Sequence, residues 1–127
     1  MEKRVINTHL APAPIGAYNQ AIVSNGFIFT AGQVPIDPMS GEFIKGEFKQ
    51  RVDQVLHNLN AILSAAGSDL GKVVKFTVFL TDLSNYSDIN AVFDQRFKGE
   101  EPPARSLVEV SKLPGGTDIE IECIATL

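Results

Sequence analysis

Two stretches near the C-terminal end alternate at period two: Pro103-Ala104-Arg105-Ser106-Leu107-Val108-Glu109-Val110 and, after a Pro/Gly turn, Asp118-Ile119-Glu120-Ile121-Glu122-Cys123-Ile124-Ala125. Arg105, Leu107 and Glu109 interleave with Ser106, Val108 and Val110. Glu120 and Glu122 interleave with Ile119, Ile121 and Cys123, so each stretch is a strand with one charge-bearing face and one mostly apolar face. The pattern predicts a β-hairpin carrying an arginine and several carboxylates. A guanidinium meets a carboxylate as a planar fork, through two parallel charge-assisted hydrogen bonds, and a nearby glutamate can position water. The pairing points to a small carboxylic acid whose reaction consumes water. The same residues also make ordinary surface ion pairs, which contribute little.

Upstream, Phe48, Val52, Val55, Leu56, Leu59, Ile62 and Leu63 recur in threes and fours and predict a helix over about 47–66, capped by Gly67. Val73-Val74-Lys75-Phe76-Thr77-Val78-Phe79-Leu80 is β-branched and aromatic, a strand with Val74, Phe76, Val78 and Leu80 on its more apolar face. Ile89, Val92, Phe93 and Phe97 mark a second helix with capping groups between Ser84 and Asp88. Gln20 to Val23 and Phe27 to Ala31 read as strands joined at Ser24-Asn25-Gly26, where Asn-Gly signals a hairpin turn. Pro35 to Gly46 reads as a loop containing the turn Pro38-Met39-Ser40-Gly41.

This order predicts an α+β fold with two helices on one face of a mixed sheet, residues 1–127 forming one domain. Two helices cover one side only. Apolar residues remain on the other, which predicts burial against further subunits.

With a net charge of −4 and lysines and arginines scattered among acids, the chain has no basic cluster of the kind phosphate binding requires, so no nucleic acid is expected. Its apolar runs are shorter than the ~18 residues of a membrane span, and the first residues lack the apolar run of a secretory signal; a cytoplasmic protein without membrane contact is expected. Cys123, the one cysteine, falls on an apolar strand face and reads as structural. His9 and His57 have no second ligand at metal spacing, so no metal is expected. The sequon Asn85-Tyr86-Ser87 has no meaning without secretion.

Together with Ala11-Pro12-Ala13-Pro14-Ile15-Gly16-Ala17-Tyr18-Asn19-Gln20-Ala21 and Phe29-Thr30-Ala31-Gly32-Gln33-Val34-Pro35, the two C-terminal stretches resemble, in order and spacing, the reactive intermediate deaminase (Rid, YjgF-like) family. The likeness is strongest to its enamine/imine deaminase subfamily. It implies a chorismate-mutase-like fold assembled as a homotrimer with ligand clefts between subunits. It also implies hydrolysis of 2-enamine/2-imine acids such as 2-aminoacrylate to 2-keto acids and ammonia, without cofactor.

By the same resemblance Arg105 holds the substrate carboxylate and Glu120 activates water or relays a proton. Tyr18 closes the pocket from a neighbouring subunit, Gly32 allows close approach to the ligand, and Asn90 borders the pocket. Ala31 and Leu107 stand where many members have Ser and Cys, which removes polar groups; a backbone N–H at Leu107 remains as a donor. Two other readings stay open: a non-catalytic trimer that binds small carboxylates, and a translation inhibitor or ribonuclease.

Overall fold

The computed structural model describes residues 2–127. Among them eight strands and two helices follow in the order β1 (Arg4–Ile6), β2 (Ala21–Ser24), β3 (Phe27–Thr30), β4 (Ile36–Asp37), β5 (Glu42–Phe43), α1 (Phe48–Ala65), β6 (Val73–Leu80), α2 (Tyr86–Arg96), β7 (Ala104–Glu109) and β8 (Ile119–Thr126). Six strands make one mixed sheet in the order β1-β2-β3-β8-β6-β7, and both helices pack on one of its faces.

Helix α1 buries the predicted stripe, Val52, Val55, Leu56, Leu59, Ile62 and Leu63, and leaves His57 exposed. Its C-terminus closes through Gly67 N–H to Ser64 O and Ser68 N–H to Leu63 O, both 2.9 Å, the paired bonds of a Schellman ending. Helix α2 buries Ile89, Val92 and Phe93. Phe93 and Phe97 then meet Phe76 of β6 edge-on, with ring centroids 5.2 and 5.9 Å away. Between β2 and β3 the register Ser24↔Phe27 leaves a two-residue turn, Asn25-Gly26, with φ of 54° and 81°, the left-handed pair that a type I′ turn requires.

The C-terminal strands do not form a hairpin. β6 lies between them, parallel to β7 and antiparallel to β8. The cause is α2: a helix joining β6 to β7 returns the chain to the same end of the sheet, so β7 enters parallel to β6, and β8 takes the strand's other edge. The intervening residues cross the end of β6 and are tied there by Val110 N–H to Leu80 O at 2.7 Å and Thr81 N–H to Asp118 O at 3.3 Å.

Two further expectations are corrected. In β6 the register shifts between Val73 and Lys75, so Val73 is buried and Val74 exposed; the bulge moves Val74 off the apolar face while Phe76, Val78 and Leu80 stay on it. The 35–46 loop contains a short hairpin, with Ile36 opposite Phe43 and Asp37 opposite Glu42, closed by Gly41 N–H to Asp37 O at 2.8 Å.

The sheet face away from the helices carries Val5, Phe27, Phe29 and Val108, all substantially exposed, with Ile22, Phe79 and Ile124 partly exposed beside them. Row by row, Val5↔Ile22↔Phe29↔Ile124 runs across four strands. That is the uncovered apolar face expected from two helices. Cys123 lies on the opposite, helix-covered side, and burial pushes its thiol up to about 12, which leaves it un-ionised and inert.

Candidate functional site

Five of the six predicted site residues fall into two groups. Tyr18, Gly32 and Glu120 line one cavity of about 400 Å³, whose remaining walls include Pro12, Pro14, Ile15, Val34, Phe43 and Pro114. Arg105 and Asn90 line another, of about 510 Å³, together with Phe93, Asp94 and Glu100. Leu107 lines neither and packs against the core.

The separation follows from register. Phe76 of β6 faces Arg105 on one side and Cys123 on the other. Arg105 and Cys123 therefore share the helix side, and Glu120, three residues from Cys123, points to the open face. Within one chain the guanidinium and the carboxyl lie on opposite faces of the sheet. By strand spacing and rise their Cα atoms stand roughly 14 Å apart.

Each group is built with care. The Arg105 guanidinium lies over the Phe93 ring, 5.1 Å from its centroid, and its Nη2 donates to Asn90 Oδ1 at 2.7 Å. A cation–π contact and one hydrogen bond orient the fork, while Arg105 itself stays exposed at the edge strand. Asn90 thus acts through Arg105.

Glu120 is half-buried, and its pKa is raised above the ordinary carboxyl value, first by burial and then by the like charge of Glu122. It fits because residue 32 is glycine. A Cβ there would lie 2.7 Å from Glu120 Cδ and Oε2. Gly32 reaches that place through an irregularity. From Phe29↔Ile124 to the bridge Gln33↔Ile121, the β3 side advances four residues and the β8 side three. The extra residue reverses the alternation, so Gln33 is buried and Gly32 faces Glu120. Thr30 Oγ1 accepts the Cys123 N–H at 3.0 Å, satisfying the donor the bulge would strand.

Gly32→Ala is expected to fold with little change in melting temperature, since the carboxyl end of Glu120 can move aside. Any turnover that depends on that carboxyl should fall by on the order of 10²-fold, the effect of displacing a reacting group by about 1 Å. Thermal melts and steady-state kinetics on one preparation check both halves.

Three contributors escaped sequence reasoning. Gln20, only 1 % exposed, accepts Thr8 N–H at 2.6 Å and donates to the carbonyls of Thr8, Ala11 and Pro12, pinning the segment that forms the cavity wall. Buried Asn58 donates to Val34 O and Ile36 O from α1, pinning the opposite wall. A buried amide inside an apolar alternation was the available signal for Gln20. Phe43, the third, had none. Tyr18 is half-exposed, its hydroxyl accepting the Ile15 N–H at 3.2 Å, which folds the mouth of the cavity onto itself.

The family model described as Endoribonuclease L-PSP matches residues 8–127. A RutC family protein of Pyrococcus abyssi is 51 % identical over 125 residues, covering 98 % of each chain. The 2-iminobutanoate/2-iminopropanoate deaminase of Rattus norvegicus is 43 % identical over 123 residues, 97 % of this chain and 89 % of that one. The solved structure of a conserved Rid family protein, YyfA of Yersinia pestis, superposes with a TM-score of 0.96 at 44 % identity, over 99 % of this chain and 100 % of that one. The chain belongs to the Rid family, in which the Endoribonuclease L-PSP and RutC descriptions also fall.

Proposed function

We propose that this protein hydrolyses short-lived 2-enamine/2-imine acids to 2-keto acids and ammonia, as a cytoplasmic homotrimer that needs no metal or organic cofactor. The observation that carries this reading is the Glu120 carboxyl, half-buried in an apolar cavity with a raised pKa and seated on a glycine. A carboxyl tuned upward retains more of its proton near neutrality, so it can both give a proton to nitrogen and take one from water.

The chemistry asks little more. Protonation at carbon with loss of a proton from nitrogen turns the enamine into its imine; water adds to C2 as the C=N electron pair moves to nitrogen, and the proton the water loses passes to that nitrogen. The carbinolamine then collapses: its hydroxyl proton is transferred to nitrogen, and the C–N bond breaks to release ammonia as the C=O forms. Arg105, oriented by Asn90 and Phe93, supplies the fork for the substrate carboxylate.

Because Arg105 and Glu120 occupy opposite faces of one sheet, we place the complete site between two copies: the β7 edge of one against the open face of its neighbour. The uncovered apolar row Val5, Ile22, Phe29 and Ile124 supports such an assembly. The net charge of −4 argues against RNA cleavage.

The test couples an amino-acid oxidase, which generates 2-imino acids from amino acids, to detection of the keto acid. Added protein should speed keto-acid release above spontaneous hydrolysis. No acceleration with any imine, small or large, rejects the reading.

A further inference from the structure

The Glu120 cavity has a neighbour. A second cavity of about 380 Å³ is lined by Pro35, Phe43, Arg51, Gly115, Gly116, Thr117 and Asp118. Phe43 and Gly115 are the two residues that line both. The Phe43 ring lies against Gly115 so closely that a Cβ at 115 would come within 2.5 Å of its Cζ and 2.6 Å of its Cε2. Gly115 also has φ of 69°, a left-handed conformation in which a side chain is strained. The contact therefore depends on the absence of a side chain at 115, and the ring stands as a partition between the two spaces.

The partition differs from the other walls in how it is held. Pro12 is tied down by Gln20, and Val34 and Ile36 by Asn58. Phe43 sits at the end of the two-residue strand β5 and is 38 % exposed. Behind it, the ion pair of Arg51 and Asp118, joined through Nη2 and Oδ2 at 2.5 Å, fixes the start of α1 to the start of β8 and forms a wall of the second cavity, which opens to solvent. The space beyond the ring is thus bounded by a fixed wall, and the ring, with the Gly115 backbone, divides it from the Glu120 cavity.

We propose that Phe43, seated on Gly115, sets the length of substrate side chain the Glu120 cavity accepts. Short and branched aliphatic side chains fill the apolar space in front of the ring, and aromatic or long ones meet it. This rests on the imine-hydrolase reading, and it names the specificity-determining residue of that site.

The experiment measures kcat/KM for imines made from alanine, leucine and phenylalanine, with wild type, Phe43→Leu and Phe43→Ala. In Phe43→Ala the ratio for the phenylalanine-derived over the alanine-derived imine should rise by on the order of 10-fold or more, with Phe43→Leu between, since a few methylenes of pocket space carry discrimination of that size. Calorimetric binding of pyruvate and phenylpyruvate to the same proteins should shift in the same direction without any turnover.

Gly115→Ala should change the ratio in the wild-type background. The strain of a side chain at φ 69° is common to both backgrounds, so the change should be larger in wild type, where the added methyl also strikes the ring, than in Phe43→Ala, where no ring remains. Active variants with an unchanged ratio and unchanged keto-acid preference overturn the Phe43 assignment and leave the hydrolase reading standing. Keto-acid preference that shifts as expected in a protein with no hydrolase activity does the reverse.

Discussion

Arg105→Ala is expected to lower kcat/KM for imine hydrolysis by about 2–5 kcal/mol of transition-state binding, the range for losing one partner of a desolvated charge pair. At ~1.4 kcal/mol per decade that is roughly 30-fold to several thousand-fold. The guanidinium lies on Phe93 and is held by Asn90, so truncation removes an oriented fork and not merely a positive charge. Arg105→Lys should recover little of the loss. The decisive form of the experiment mixes two inactive variants. If each site takes its guanidinium from one copy and its carboxyl from the next, Arg105→Ala and Glu120→Gln refolded together in equal amounts should regain activity. About one site in four then pairs an intact arginine with an intact glutamate, by counting arrangements in a closed ring. Light scattering on the same samples must show trimers. A mixture no more active than its parts would mean that the two residues do not meet across an interface.

Glu120→Gln keeps the size of the side chain and removes its proton, and turnover should fall by about 10²–10⁴ if the carboxyl is the general acid/base. The variant also carries a stability signature. Burial and Glu122 raise the pKa of Glu120 in the folded chain, so the folded state binds the proton more tightly than the unfolded one. Stability from this group is therefore fully present below the ordinary carboxyl pKa and is lost as pH rises through the raised value. Glu120→Gln should match the wild-type melting temperature in acid and exceed it at neutral pH, a trade of stability for function. Melting curves from pH 4 to pH 8 read the sign directly. A variant less stable than wild type at neutral pH would show that the carboxylate is held by favourable contacts, contrary to the upward shift.

Much of this molecule was legible from local pattern. The stripe from Phe48 to Leu63 specifies α1, because a helix returns to the same face every three or four residues whatever surrounds it. Asn25-Gly26 specifies its turn through backbone preference alone. The uncovered sheet face followed from counting helices against strands. Of the residues named through the family resemblance, Tyr18, Gly32 and Glu120 line one cavity and Asn90 touches Arg105.

What local pattern does not contain is which strands become neighbours and in what phase. Alternation in β7 and β8 reads identically whether they pair with each other or with β6 between them. Yet the second arrangement, imposed by the α2 crossover, is what sends Arg105 and Glu120 to opposite faces. One added residue between Phe29 and Gln33 likewise reverses the phase and delivers Gly32 to Glu120, and the bulge beside Val74 turns that side chain out of the core. The contact of Phe43 with Gly115 joins two loops remote in sequence. Periodicity is set within a few residues by the geometry of the chain itself; strand order, register and loop contact are set by hydrogen bonds and burial between distant segments, and only the assembled fold decides them.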